Sequence, residues 1–278
     1  MLQVFHNVTH CIMRALGARS VYVPTSVGDV HLYEADGPGA RTFVLIHGIG
    51  TASTSYASLF RGLRARARRL ILVDLPGHGR GRMRDAALTK PKLLAGAHEA
   101  LDAVLQRETG AVLGGTSLGG AVALDYALLR PQRIGALVLL SPGGAPLTKA
   151  EIREVKRRFR LRSKRDARRF FSELMHRPPI YTRLFERELL DVLARPTVQG
   201  FLANLAPEDC FDAARLAPLG LPVLVVWGKS DRIMPRSGLA FYRNALPAGT
   251  IFEEPDEVGH TPHIERPDYV LECLLRFS

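Results

Sequence analysis

The sequence predicts an α/β fold, with a mostly parallel eight-stranded sheet, helices on both faces, and a helical segment inserted between two strands. Three observations carry this. Short, continuously apolar runs bounded by Gly, Pro and Asp recur at 42–46, 70–73, 111–113, 136–140 and 223–227, as expected of strands buried on both faces. Helical stretches alternate with them, which is the pattern of a parallel sheet wrapped by its crossovers. From about 147 to 216 the strand pattern stops and charged helical stretches replace it. At 278 residues the chain is long enough for one domain carrying such an insertion. The expected organisation is an amphipathic helix at 1–19, a core made of 20–144 and 217–278, and a helical lid at 145–216.

The elements follow in order. In the first twenty residues Phe5, Val8, Ile12 and Leu16 recur at helical spacing. This face has two readings, a helix packed on the domain or an interfacial helix lying on a membrane. Residues 20–24 and 30–34 read as an antiparallel pair of edge strands around a Gly28-Asp29 turn, with Val30 and Leu32 inward and His31 and Tyr33 outward. The strand 42–46 ends at His47-Gly48-Ile49-Gly50, where glycines after a buried strand leave the Ile49 N–H free to point into a cleft. Ser53 or Thr54 is expected to cap a helix running to about Ala67. The strand 70–73 closes on Asp74-Leu75-Pro76-Gly77-His78-Gly79, whose Asp74 reads as a turn former bonded to local backbone and whose His78 reads as structural. A helix at 89–107 follows, with Leu93, Ala97, Leu101 and Val104 on one face.

The stretch 111–127, AVLGGTSLGGAVALDYA, reads as strand, sharp turn and helix, with Ser117 at the turn. Gly115 and Gly119 flank it at G-x-S-x-G spacing. Such a turn holds the serine in strained backbone and lifts its hydroxyl above the positive end of the next helix, where a developing oxyanion is favoured. The Leu118 N–H would be the partner of the Ile49 N–H there. A glycine-rich turn without chemistry has the same local pattern, so the remaining signals matter. Helices at 149–172, 182–193 and 196–205 would make up the insertion. Asp231 then stands in a loop after the strand at 223–227, ahead of a helix that Pro235 opens. After a last strand near 250–252, the loop 258–263 leads into a final helix at 264–277. His260 and His263 compete in that loop, and His260 is favoured because it directly follows glycine, whereas His263 stands at the helix threshold.

A serine hydroxyl needs a base within hydrogen-bond reach, an imidazole suits the task near neutral pH, and a carboxylate holds the imidazole's tautomer. Ser117, Asp231 and His260 each follow a predicted strand, so all three would meet at one edge of the sheet. The pieces HGIG, DLPGHG, GTSLGG, WGKSDRIMP and GHTPHIERP resemble the α/β-hydrolase superfamily from about Thr42 to the end, the insertion excepted. GTSLGG with the SPGG strand end is similar to its monoacylglycerol-lipase and carboxylesterase branch. The resemblance implies an α/β-hydrolase fold, acyl transfer to Ser117, oxyanion donors from Ile49 and Leu118, activation by His260 and Asp231, and neither cofactor nor metal. Serine at 117 argues against the related dehalogenases and epoxide hydrolases, which use aspartate there. Carbon-carbon bond hydrolases of aromatic meta-cleavage products share the serine and the ending seen from Gly259 to Pro267, and stand as the alternative.

The expected substrate is a small-molecule ester with an apolar acyl chain, in keeping with the insertion's Phe170, Phe171, Leu184 and Phe185. The formal charge is +11, and ten Lys or Arg against three acids fall between Glu151 and Phe170. That segment is either a solvated helical face or a surface for anionic membrane; nucleic acid is not expected, because no recognition motif accompanies the charge. Three isolated cysteines without C-x-x-C spacing point to a reducing compartment. With no signal-like start, the expected location is cytoplasmic, with peripheral membrane contact as the sharper reading.

Overall fold

The computed structural model describes residues 2–85 and 87–277, the side chains of residues 2–6 excepted. The helix α1 (Leu2–Ala15) leads into the hairpin β1 (Arg19–Thr25) and β2 (Gly28–Asp36), then β3 (Arg41–Ile46), α2 (Ala57–Arg64) and β4 (Ala67–Val73). The short β5 (Arg82–Met83) precedes α3 (Lys90–Val104), β6 (Ala111–Thr116), α4 (Leu118–Leu129) and β7 (Ile134–Leu140). Five helices then intervene: α5 (Lys149–Arg158), α6 (Lys164–Leu174), α7 (Glu186–Leu193), α8 (Pro196–Asn204) and α9 (Ala213–Leu216). The chain ends with β8 (Val223–Val226), α10 (Arg236–Ala245), β9 (Ile251–Glu253), α11 (Pro262–Glu265) and α12 (Pro267–Leu275).

The sheet order is β1-β2-β4-β3-β6-β7-β8-β9, with the short β5 added beside β2 as a ninth strand. From β4 through β9 every pairing is parallel, and β1, β2 and β5 contribute the antiparallel ones. The chain leaves β3 towards β4 and returns to lay β6 on the other side of β3. The carboxyl ends of β3 and β6 therefore flank the point where winding reverses, and open α/β sheets form their crevices at such a point. Residues of α3, α4, α10 and the insertion bury one face of the sheet, while α1, α2 and α12 cover the other.

Several boundaries differ from expectation, each for a local reason. The hairpin turns at Ser26-Val27, not Gly28-Asp29, since Thr25 already pairs with Gly28. Gly28, at φ +137°, instead admits β5, whose Arg82 carbonyl oxygen would lie 2.1 Å from a Cβ at that position. β2 is interior, and His31 and Tyr33 are buried as deeply as Val30 and Leu32. One reason is α1, whose His10 Nδ1 hydrogen-bonds the Tyr33 hydroxyl at 2.7 Å. Residues 53–56 form a 3₁₀ turn without a side-chain cap, so α2 is shorter than expected. The run expected to be one helix at 149–172 is two, because Ser163 accepts the Asp166 N–H and starts a second helix inside it. Residues 180–185 are a 3₁₀ turn rather than the start of α7. Pro267, with no N–H to give, divides the expected last helix into α11 and α12. In α1 the packed side chains are Thr9 and Met13, whereas Val8 and Ile12 are half exposed; Phe5 lies outside the described side chains.

Candidate active site

The Ser117 turn is built by close backbone approach. Ser117 sits at φ 54° and ψ −118°, a strained conformation for a residue with a side chain. A Cβ on Gly115 would fall 2.3 Å from the Gly119 carbonyl oxygen, and one on Gly119 would fall 2.2 Å from that of Ile46. Both glycines are therefore required for α4 to start this close to β6 and β3. The Ser117 N–H donates to the Leu140 carbonyl (3.0 Å), and its own carbonyl accepts from Ala121 (3.1 Å) and Gly143 (2.9 Å), which holds the turn from three sides. Among the described residues, the N–H groups of Ile49 and Leu118 have no hydrogen-bond partner. Ile49, Ser117 and Leu118 line one cavity of about 110 Å³. His47 Nδ1 lies 2.7 Å from the Gly48 carbonyl oxygen, and with the proton on Nδ1 that contact fixes the plane of the peptide presenting the Ile49 N–H.

Asp231 and His260 form a buried pair, with Nδ1 of the ring 2.8 Å from Asp231 Oδ2. Asp231 Oδ1 accepts the Ile233 and Met234 N–H groups at 2.8 and 3.0 Å. Burial works against ionisation of Asp231, but the facing His260 and those two N–H groups outweigh it and leave its pKa below the ordinary value. A carboxylate facing Nδ1 sets the tautomer that leaves Nε2 free to accept a proton. The hydrogen bonds found at Ser117 are those of its backbone, and none joins its Oγ to His260.

The two neighbouring histidines behave differently. His263 is buried against Tyr56, with ring centroids 4.6 Å apart, and its Nδ1 lies 3.3 Å from Thr116 Oγ1, one residue before Ser117. Burial, together with the imidazoles of His260 and His47, pushes its pKa down to about 3. It thus ties the His260 loop to the Ser117 turn. Asp74 accepts the Arg80 N–H of its own turn, as expected, but it also accepts the Ser53 N–H and pairs with His31 Nδ1 at 2.7 Å, so it joins three segments rather than bonding local backbone alone. His78 is buried against its own turn, with Nδ1 3.0 Å from the Pro76 carbonyl.

Residue-by-residue reading missed Glu265. Its carboxylate accepts the Gly259 N–H at 3.0 Å and the His176 N–H at 2.7 Å, clasping the His260 loop to the stretch of the insertion that follows α6. The His260 N–H also donates to the Leu174 carbonyl at 2.7 Å. The signal was present in the sequence, since Glu265 lies five residues past His260 and two before Pro267. Its partners, however, are backbone groups that no pattern announces.

The cavity beside Ser117 is walled by apolar side chains, among them Leu94, Val122, Phe159, Phe201, Leu202 and Met234. Among the described residues that line it the cation is Lys90, which donates to the Asp209 carbonyl at 2.5 Å, and the carboxylate of Asp125 is held by Arg215. A larger cavity of about 530 Å³ is lined by Gly50, Asp74, Arg80, Arg82, Glu188 and Arg195 among others.

Comparison with known proteins adds four findings. The profile of the alpha/beta hydrolase family matches residues 43–272. A 2-hydroxy-6-oxononadienedioate/2-hydroxy-6-oxononatrienedioate hydrolase of Cupriavidus pinatubonensis is 31% identical over 213 residues, which is 72% of this chain and 73% of that one. Among solved structures, carboxylesterase CesB of Bacillus subtilis aligns with TM-score 0.78 at 21% identity, over 99% of this chain and 97% of its own. The 2-hydroxy-6-oxo-6-phenylhexa-2,4-dienoate hydrolase of a Rhodococcus strain aligns with TM-score 0.82 at 20% identity, over 94% of this chain and 98% of its own.

Proposed function

We propose, from the premise that this chain belongs to the alpha/beta hydrolase family, that it is a serine hydrolase cleaving carboxylic esters with an apolar acyl chain. One observation carries the substrate class. The cavity that Ser117 opens onto is walled by aliphatic and aromatic side chains, and its few charged groups are already engaged by protein partners.

In this reading His260 Nε2 takes the proton of the Ser117 hydroxyl as Oγ attacks the ester carbonyl carbon. The oxyanion forms between the N–H groups of Ile49 and Leu118, each worth about 10²- to 10³-fold in rate. The alcohol leaves with the proton from His260, and water then attacks the acyl-enzyme by the same route in reverse. Asp231 stabilises the imidazolium that forms in each half. The helical insertion acts as a lid that keeps water from the acyl chain.

A second reading, carbon-carbon hydrolysis of a vinylogous diketo acid, is favoured by the activity for which the Cupriavidus relative is named. The carboxylesterase is too distant to carry more than the fold, so the names weigh for this second reading and the cavity weighs for the first. A dioate would bring two carboxylates to a wall whose cation among the described residues, Lys90, is occupied.

The experiment is a direct comparison of p-nitrophenyl esters of increasing chain length with a 2-hydroxy-6-oxo-dienoate. Each buried methylene is worth about 0.8 kcal/mol, so kcat/KM should climb roughly fourfold per added carbon until the cavity is full. A profile that stays flat along the series, or faster turnover of the dienoate, would replace the first reading by the second.

A further inference from the structure

The helical insertion exposes apolar side chains that the fold leaves unused. In the 3₁₀ turn Ile180–Phe185, Ile180 is 73% exposed, Tyr181 52% and Leu184 55%. The turn runs directly into α7, and α7 packs against α1, whose Val8 and Ile12 are also half exposed. Asn7 of α1 and Glu188 of α7 line the same cavity, so the two sets of exposed side chains belong to one neighbourhood of the surface.

Cations are interleaved with them. Arg183 and Arg187 are exposed and have no carboxylate within ion-pair distance among the described residues, and Arg177 reaches only Glu257, at 3.8 Å. The acid within this stretch, Glu186, is held by Arg168. Glu188 and Asp191, which follow, face the polar cavity beside Arg195. On α6, which packs against both the turn and α7, Lys164 and Arg165 are likewise exposed and unpaired. Elsewhere in the basic segment 151–170, Glu154 holds Arg157 and Arg158, and Asp166 holds Arg169.

Aliphatic and aromatic side chains that alternate with free guanidinium groups match a lipid interface, where the rings and methyls sit among acyl chains and the cations meet phosphates. No helix among the described residues is long and apolar enough to cross a membrane, so the contact is peripheral. We infer that the turn Ile180–Phe185, with the outer face of α1 beside it, docks the protein on an anionic phospholipid bilayer. This does not rest on the substrate reading, and the test keeps the two apart.

Binding is measured by co-sedimentation with vesicles of phosphatidylcholine alone or mixed with phosphatidylglycerol, in the Ser117→Ala background so that no lipid is turned over. The full chain should bind the anionic vesicles, release them as salt rises, and ignore the neutral ones. Arg183→Ala with Arg187→Ala should weaken binding by roughly thirtyfold, two cations at the strength of an anionic surface. Ile180→Ser with Leu184→Ser should abolish it. All four side chains are exposed, and none of them, Leu184 included despite its expected place beside the acyl chain, lines the cavity at Ser117, so both variants should fold and, with Ser117 restored, turn over a soluble ester at the parent rate. A Tyr181→Trp variant gives a separate readout, since its fluorescence should shift to the blue on anionic vesicles. Equal binding to both vesicle types, unweakened binding by both double variants, or preference for RNA over vesicles would overturn the inference.

Discussion

Acidification should unfold this protein through its buried imidazoles, at a rate per pH unit that the structure sets. His263 is 2% exposed and its pKa is held at about 3; His78 is 3% exposed, and burial and the His47 imidazole hold its pKa at about 4. In the unfolded chain both rings bind a proton near pH 6.5. The unfolded state therefore takes up protons that the folded state refuses. The stabilisation is complete above about pH 6.5 and is lost as the pH falls towards the folded-state values. Each ring lowers stability by about 1.4 kcal/mol per pH unit in that window, and the pair by about 2.7. Between about pH 6.5 and 4.5 this amounts to roughly 5 kcal/mol, a large part of the 5–15 kcal/mol that holds a typical domain folded. The lowered pKa of His47 steepens the fall, whereas the carboxylates of Asp74, at about 2, and Asp231 contribute only at more acid pH. Urea unfolding followed by the fluorescence of the buried Trp227 measures the slope, and His263→Gln, which removes one titrating ring, should reduce it by about 1.4 kcal/mol per unit. An unchanged slope in His263→Gln, or a wild-type stability flat across the window, would refute the reasoning.

Other perturbations test the site itself. Ser117→Ala and His260→Ala should each lower kcat by about 10⁵-fold or more, and the double variant should lose little beyond either, as measured on a soluble ester. His263→Ala should leave the rate per folded molecule within about an order of magnitude while removing about 2–4 kcal/mol of stability, so a kcat loss equal to that of His260→Ala would reassign the base. Gly119→Ala drives a methyl into the Ile46 carbonyl and should abolish labelling of Ser117 by a fluorophosphonate. Glu265→Gln keeps the shape but weakens the clasp on the His260 loop, and should lower kcat more than it raises KM.

The parts of the fold legible in sequence were those whose physics is local. Gly115 and Gly119 announced the turn because a Cβ at either would meet backbone. Asp231 announced its loop through Pro235, and β3, β6 and β7 announced themselves by unbroken apolar runs. What escaped depended on neighbours remote in the chain. His31 and Tyr33 read as outward-facing because strand alternation does not record a helix packed on the second face, and the spacing of Val8 and Ile12 left packing and a membrane face both open, whereas the side chains that α1 packs are Thr9 and Met13. The pairing of His260 with Asp231 followed from the strand ends. The clasp of Glu265 on the insertion did not, since its partners are the N–H groups of Gly259 and His176.

The junction between the insertion and the oxyanion loop permits one further prediction. Gly50 follows Ile49 at φ +70°, and a Cβ there would lie 2.5 Å from Leu193 Cδ2, the side chain that ends α7 and is 2% exposed. Gly50→Ala alone should lose about 1–2 kcal/mol from its left-handed backbone, and more from displacing Leu193. Leu193→Ala alone should lose about 2–5 kcal/mol by leaving a void over the loop. In the double variant the new methyl occupies part of that void, so the combined loss should fall short of the sum by about 1 kcal/mol or more, since contacting residues couple at this scale. Urea melts of the four proteins close the cycle. Additivity within about 0.3 kcal/mol would mean that α7 does not rest on this loop. A clear coupling would make the position of the insertion and the aim of the Ile49 N–H a single mechanical unit, so that whatever lifts α7 also loosens the proposed oxyanion donor.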